Sequence, residues 1–256
     1  MPQSIDRSKN VRLTSDTVTA FIVESVLFGT AMLPAVFLFE WHRSWDLEPR
    51  WLRIWILAMA AIPTYAVFAI AFMALSAWSI KLLGWRPTPN GEWPIKGFSW
   101  PLLDWGRYSI SIHLVRIFAG TFVRTTPLWT WYMRLNGAKL GSGVFINSLD
   151  VTDHCLLDFG NDVVIGAGVH LSGHTVERGL VKTAPVQLGN GVTIGVSANI
   201  EIGVRAGDGA QVGALSMVPK YEVLEPHTTY VGIPAEKLER SHASPRVQEP
   251  ARGSAT

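Results

Sequence analysis

The sequence is poor in cysteine and in charged residues, and both shortages limit what the protein can be. Its single cysteine, Cys155, has no second thiol for an internal disulfide, which fits a reducing compartment. Only 16% of the 256 residues are charged, whereas soluble domains average about a quarter. The net charge of +2 is too small to favour a nucleic-acid partner. We therefore expect no disulfide scaffold, no nucleic acid, and a part of the chain that lies out of water.

Tryptophan and glycine divide the chain into two halves near residue 136. All 11 tryptophans lie between Trp41 and Trp131, and most of the 23 glycines follow residue 136. This distribution predicts two architectures, or two solvents, that meet near that residue.

The first half contains two long apolar segments, residues 17–39 and 54–80. A helix needs about 20 apolar residues to cross a bilayer, so residues 17–85 are predicted to form two transmembrane helices. Tryptophans flank both segments, as expected at the headgroup level. Glu24 is the one charge in the first segment; we interpret it as structural and leave it out of the site.

The lysines and arginines next to these segments predict their orientation. Taken together, the two ends carry more lysine and arginine close to the segments than the loop between them does, which places both ends inside by a modest margin. We expect a multi-pass protein of the inner (plasma) membrane, with a cytoplasmic segment at 1–16 and a cytoplasmic catalytic domain. Residues 86–135 are predicted to be an interfacial amphipathic linker on the membrane surface. The alternative is a helix packed on the soluble domain.

The second half has a repeat of six residues. Glycine often follows the repeated apolar position, as at Gly189 and Gly195, and the repeat fits neither an α-helix nor a hairpin sheet. It is typical of a parallel β-solenoid with three short sides and about 18 residues in each coil. We predict this fold for residues 136–240, and a disordered tail, polar and proline-rich, at 241–256. The repeated apolar positions are Leu188, Ile194, Ile200, Ala206, Val212, Val218, Leu224 and Tyr230.

The run from Gly189 to Ala235, which begins GNGVTIGVSANIEIG, resembles the left-handed β-helix acyltransferases, also called the hexapeptide-repeat superfamily. With the two helices before it, it is particularly similar to the membrane-embedded C-terminal units of poly-lysine-synthetase-type nonribosomal peptide synthetases. The resemblance implies a membrane helical hairpin followed by an all-β left-handed parallel β-helix. It also implies a homotrimer and an acyltransferase without a tightly bound cofactor, whose co-substrate is a coenzyme A thioester or a phosphopantetheinyl carrier protein.

The same six-residue frame appears earlier at Phe159, Ile165 and Leu171. It breaks between Leu171 and Leu188, and we expect the chemistry at this break. The family has a histidine at the start of such a loop, and His174 matches it. Acyl transfer to an alcohol or amine needs a base with a pKa near the working pH, which a histidine supplies. His154 lies 20 residues earlier, about one coil, and is a second candidate.

A carboxylate is expected to orient the catalytic imidazole, and the sequence offers Asp153 or Glu177 without choosing between them. His113, His170 and His227 show no supporting pattern. The histidines form no cluster of ligands and there is one cysteine, so we predict no metal site.

The resemblance also nominates residues for the coenzyme. Small residues allow a pantetheine arm to lie close to the backbone, and a lysine can meet a phosphate. The positions that match the family are Ala214, Ser216, Lys220 and Gly232. Residues 221–223 replace the Asp-Ile-Pro usual in sugar acetyltransferases, which puts a sugar acceptor in doubt.

Two function classes follow from these observations. The first is a membrane-anchored acyltransferase that moves an acyl group from a thioester to an amine or hydroxyl of a small molecule or peptide. The second is a non-catalytic, membrane-bound trimeric scaffold of a biosynthetic complex, with His174 a solvated loop residue. The expected partners are membrane lipid, the acceptor and, for one type of donor, a carrier protein.

Overall fold

The described residues of the computed structural model are 7–239, with side chains from residue 11. The predicted tail at 241–256 lies outside them. The α-helices are α1 (Arg7–Arg43), α2 (Arg50–Leu83), α3 (Trp100–Val115), α4 (Thr121–Val123) and α5 (Pro127–Leu135), with a π-helical turn at Arg116–Gly120 and 3-10 turns at Ile95–Gly97 and His154–Leu156.

The strands are short and, apart from β1, follow the helices. They are β1 (Glu92–Pro94), β2 (Lys139–Leu140), β3 (Phe145–Ile146), β4 (Leu157–Phe159), β5 (Val164–Ile165), β6 (His170–Leu171), β7 (His174–Glu177), β8 (Leu180–Thr183), β9 (Val186–Leu188), β10 (Thr193–Ile194), β11 (Asn199–Ile200), β12 (Arg205–Ala206), β13 (Gln211–Val212), β14 (Met217–Val218), β15 (Val223–Leu224), β16 (Thr229–Val231) and β17 (Glu236–Lys237).

Helices α1 and α2 contain the two apolar segments found in the sequence. Both are long and apolar enough to cross a membrane, and they pack against each other through aromatic side chains, with the rings of Phe28 and Phe68 5.1 Å apart. Most of their surface is nevertheless uncovered, and large apolar side chains such as Phe21 and Ile62 are more than half exposed. The core helix of a soluble protein buries such residues, so these two helices present large apolar faces that no described part of the chain covers.

Helix α3 packs between the two long helices and the rest of the protein. Its buried side chains include Leu103, Tyr108 and Ile112, and it contacts both α1 and α2. Arg107 of α3 forms a salt bridge with Asp16 of α1. This packing corresponds to the alternative interpretation of residues 86–135, and a position on the membrane surface stays a prediction.

Residues 139–237 form the predicted parallel solenoid. Three parallel sheets run along it, in the strand orders β16-β13-β10-β5-β3, β14-β11-β6 and β15-β12-β9-β4-β2. Ile194 pairs with Val212 and Ile200 with Val218, so neighbouring coils are offset by 18 residues, as the sequence predicted. Every residue of the six-residue frame from Leu188 to Tyr230 is buried, which confirms that the repeated side chains fill the interior.

The break in the repeat is an antiparallel hairpin, β7 and β8, inserted between β6 and β9. Strand β1, which follows the second long helix, adds to this hairpin as a third strand. Thr183 fixes the contact, because its hydroxyl donates to the carbonyl of Thr88 at 2.6 Å and accepts from the N–H of Gly91 at 3.0 Å. The hairpin that begins with His174 is therefore held by the chain that leaves α2.

Val218 tests whether the stacked interior stabilises the solenoid. It is fully buried, whereas Val223 on a neighbouring strand is 64% exposed. We expect Val218→Ala to lower the free energy of unfolding by about 2 kcal/mol, through lost burial and an unfilled cavity. Val223→Ala should change it by less than about 0.5 kcal/mol. Urea denaturation of the detergent-solubilised protein measures both, and equal effects would contradict the fold.

Candidate active site

His174 and Asp153 form a hydrogen-bonded pair where the hairpin leaves the solenoid. The Nδ1–H of His174 donates to Oδ2 of Asp153 at 2.6 Å. The side chain of Asp153 is 1% exposed, whereas that of His174 is 27% exposed. Because the carboxylate accepts the proton of Nδ1, the other ring nitrogen, Nε2, is left as the basic atom. The pair thus presents a base of fixed tautomer to solvent.

The Asp153 carboxylate has several further donors. The N–H of Gly173 and the hydroxyls of Ser172 and Thr152 donate to Oδ2 at 3.1, 3.2 and 3.2 Å, and the indole N–H of Trp105 donates to Oδ1 at 3.3 Å. These bonds compensate for the burial of the charge.

The two groups shift each other's pKa. Burial alone would raise the pKa of Asp153, but hydrogen bonding and charge at His174, with bonds from Thr152 and Trp105, hold it below its usual value. Burial alone would lower the pKa of His174, but its hydrogen bond to Asp153 and the charge of that carboxylate raise it above its usual value. The imidazole is therefore a stronger base than a free histidine.

Local backbone geometry explains why the carboxylate can reach the imidazole. Asp153 adopts a left-handed conformation with φ of 51°, which aspartate tolerates better than most residues. Gly173 leaves the space that Asp153 occupies, since a Cβ there would lie 3.0 Å from the Cβ of Asp153 and 2.9 Å from that of Leu156. A side chain at position 173 would push the carboxylate away.

A pocket of about 400 Å³ lies beside the pair, between helix α3 and the solenoid. Its area is mostly apolar, and a volume of this size holds a small molecule. The ring of Trp105 meets that of His174 edge to face, with centroids 4.8 Å apart. The lining residues are Trp105, Tyr108, Ser109, Ile110, Ile112, His113, Leu114, Arg116, Thr152, Asp153 and His174.

His154 does not join this site, which corrects the expectation that it lies beside His174. Its side chain is fully buried, edge-on to the rings of Trp129 and Tyr132, and its Nε2–H donates to the carbonyl of Val151 at 3.2 Å. Burial lowers the pKa of His154 to about 4, so the ring is neutral. The 3-10 turn at His154–Leu156 directs this side chain away from the pocket.

Glu177 does not orient the imidazole either, which settles the choice in favour of Asp153. Its carboxylate forms salt bridges with Lys220 and Lys182. Hydrogen bonds from Lys220 and then Lys182 lower the pKa of Glu177. Glu177 therefore links the hairpin to the later coils.

The residues nominated for the coenzyme lie on the later coils. Ala214 and Gly232 are exposed, and Ser216 is buried with its hydroxyl accepting from the N–H of Gly232 at 3.0 Å. Lys220 is paired with Glu177. Of the four nominated residues, Ser216 and Gly232 are thus hydrogen-bonded to each other, and Lys220 is bound to Glu177 of the hairpin.

Sequence reasoning missed Trp105 and Gly173. Trp105 lies in the segment that the sequence predicts to be interfacial, and nothing local in the sequence connects it with a carboxylate 48 positions away. Gly173 could have been found from the sequence, because a glycine at the start of a break in the repeat can mark a close approach of two segments. Within residues 11–239, no three histidine, cysteine or acidic side chains are grouped so that they could hold a metal ion.

The solenoid, with a histidine at the start of its inserted hairpin, is typical of hexapeptide-repeat proteins. No family model matches the chain. It is 33% identical over 107 residues to the galactoside O-acetyltransferase of Escherichia coli strain K12, covering 39% of this chain and 52% of that protein. It is 24% identical over 114 residues to the delta-poly-L-ornithine synthetase of Acinetobacter baumannii strain AB307-0294, covering 44% of this chain and 9% of that protein.

Solved structures include similar chains. A hexapeptide-repeat acetyltransferase from Vibrio cholerae aligns with 23% identity and a TM-score of 0.37, over 41% of this chain and 62% of the other. The serine acetyltransferase of Neisseria gonorrhoeae aligns with 26% identity and a TM-score of 0.34, over 70% and 74%. The two sequence matches support the predicted resemblance of the solenoid to the hexapeptide-repeat acetyltransferases. The chain spans about half or less of these two relatives.

Asp153→Asn tests the electrostatic coupling of the pair. Without the carboxylate charge, burial dominates, so the pKa of His174 should fall and the imidazole should lose its proton at lower pH. NMR titration of the histidine ring signals in detergent micelles measures the midpoint. Asp150→Asn is the matched control, because Asp150 pairs with Arg116 and not with His174. An unchanged His174 midpoint in Asp153→Asn would contradict the coupling.

Proposed function

We propose that this protein is a membrane-anchored acyltransferase that moves an acyl group from a thioester to a hydroxyl or amine held in the pocket beside His174. The observation that carries the proposal is the His174–Asp153 pair, a polarised imidazole on the wall of a mostly apolar pocket. Desolvated imidazole–carboxylate pairs of this kind are typical of general bases.

The transfer uses the two sides of the imidazole. Nε2 of His174 takes the proton of the acceptor as its oxygen or nitrogen attacks the thioester carbonyl. The resulting imidazolium is stabilised by the charge of Asp153, which also holds the ring in place. When the carbon–sulfur bond breaks, the imidazolium returns the proton to the leaving thiolate. The acceptor leaves as an ester or amide, and the donor as a free thiol.

The donor is proposed to be acetyl-coenzyme A or an acyl group on a carrier protein. One solved Vibrio cholerae relative is a complex with acetyl coenzyme A, which supports the first. Exposed Ala214 and Gly232 would leave room for the pantetheine arm, and Lys220 would exchange its partner Glu177 for a phosphate.

We also propose that the solenoid is left-handed and that the protein is a homotrimer, from the resemblance to the superfamily.

Membrane anchoring is supported by the exposed apolar faces of α1 and α2. We propose that both helices span the inner membrane and that the pocket and solenoid lie on the cytoplasmic side. The basis is the distribution of lysine and arginine around the helices.

His174→Ala tests the catalytic assignment. Loss of a general base typically costs about 10²- to 10⁴-fold in rate, so we expect kcat to fall by that range while the protein stays folded and keeps its oligomeric state. Release of free thiol from the acyl thioester measures the rate. His170→Ala is the matched control, because His170 is an exposed histidine four residues earlier in the chain. Undiminished transfer by His174→Ala would overturn His174 as the general base, and no transfer by the unaltered protein would favour the non-catalytic scaffold.

Cysteine labelling tests the orientation. Burial raises the pKa of the single native thiol, Cys155, to about 12, so it should react slowly with maleimides. Asp46→Cys introduces an exposed thiol between the two long helices, and Asn90→Cys introduces one after them. A membrane-impermeant maleimide should label Asp46→Cys in intact spheroplasts and Asn90→Cys only after lysis. The reverse pattern would overturn the cytoplasmic placement.

A further inference from the structure

The face of α3 that borders the pocket continues as an apolar surface toward the two long helices. Ile110 and Leu114 line the pocket beside His174, and Phe118 follows one turn later. Ile110 is 45% exposed and Phe118 is 39% exposed. On a helix, residues separated by four positions share a face. Ile110 and Leu114 of α3, with Phe118 in the π-helical turn that continues α3, therefore form one stripe that runs from the pocket toward the hairpin of α1 and α2.

Phe118 is also part of a second groove. This groove of about 500 Å³ lies between α1 and α2, and its lining is almost entirely apolar. The ring of Phe118 meets that of Phe28 on α1 with centroids 5.1 Å apart. The hydroxyl of Tyr65 on α2 donates to the carbonyl of Phe118 at 2.6 Å. One end of the apolar stripe thus lines the pocket, through Ile110 and Leu114, and the other end lines the groove, through Phe118.

The two cavities are separated by a short stretch of one helix. Leu114 borders the first and Phe118 the second, and four helical residues span about 6 Å. A molecule with an apolar chain and a polar end could occupy both at once. Its polar end would lie at Nε2 of His174, and its chain would follow the stripe into the groove.

The structure assigns the acceptor, within the acyl transfer proposed above, to bilayer-borne amphiphiles: a hydroxyl or amine at the polar end of an apolar chain. A soluble sugar or free amino acid would leave the stripe and the groove uncovered. A bilayer amphiphile covers both and reaches the site without leaving the membrane. The inference rests on the proposed acyl transfer and membrane anchoring, and it adds the kind of acceptor.

The test uses the full chain in vesicles, with acetyl-coenzyme A as donor and two series of acceptors: butanol, octanol and hexadecanol, and the corresponding alkylamines. In one series, kcat/KM should rise about threefold for each added methylene until the chain fills the cavities, and the hexadecyl acceptor should be acylated from the bilayer. Equal rates for butyl and octyl acceptors in both series would overturn the inference.

Two substitutions on the stripe locate the effect. Ile110→Asn and Phe118→Asn should each lower the ratio of octyl to butyl kcat/KM by about tenfold, since a polar side chain interrupts the apolar path. Val164→Asn is the control, because Val164 is an exposed aliphatic residue on strand β5 of the solenoid that lines neither cavity. A ratio unchanged in all three variants would contradict the assignment.

A second arm separates the acceptor from the acyl chain. The acceptor is held constant while the donor changes from acetyl- to octanoyl-coenzyme A. If chain-length preference follows the acyl group and not the acceptor, the cavities hold the donor and the inference is wrong. If small polar acceptors are acylated, and the rates with alkyl acceptors do not depend on acceptor chain length, the inference about the acceptor is wrong while the proposed acyl transfer stands. No consumption of either donor with any acceptor would overturn transfer from coenzyme A thioesters, and the inference with it.

Discussion

The regular stacking of one inward side chain on each short side of the solenoid is the constraint on which the site depends. Because the coils stack in parallel, each strand lies on the strand one coil before it. The inserted hairpin does not disturb this pairing, since Ile200 still lies on Leu171. The same parallel pairing joins Val151 to Leu171. Residues just beyond those two positions are therefore neighbours, and these are Asp153 and the Gly173–His174 pair. The fold sets the distance between acid and base before any local interaction refines it.

The helices add what a solenoid alone cannot provide, which is a second wall for the pocket beside His174. Trp105 of α3 covers the imidazole and donates to the carboxylate behind it. Ser76 of α2 lies 3.0 Å from Ser111 of α3 and 3.3 Å from Tyr132 of α5, measured between hydroxyl oxygens. Since buried hydroxyls are costly without partners, this contact fixes α3 against its neighbours. The apolar half of the chain is thus part of the site as well as its proposed anchor.

The sequence predicted the features that depend on periodicity. The buried frame from Leu188 to Tyr230, the break that begins near His174 and the two long helices follow from spacing and composition. The partner of His174 was open between Asp153 and Glu177, because one coil of separation predicts proximity but not side-chain direction. The left-handed backbone at Asp153 and the turn that buries His154 decide that direction, and both are local conformations without a periodic signal. The contact of Trp105 with the site depends on tertiary packing that no local pattern encodes.

We expect a thioester carbonyl and an acceptor to meet at Nε2 of His174. A structure of the full chain with a non-hydrolysable acetyl-coenzyme A analogue would show where the donor binds. The carbonyl carbon of the analogue should lie in the pocket beside His174, within about 4 Å of the space where an acceptor hydrogen-bonded to Nε2 would sit. An analogue bound on a face of the solenoid from which its carbonyl cannot reach His174 would rule out His174 as the base for this transfer.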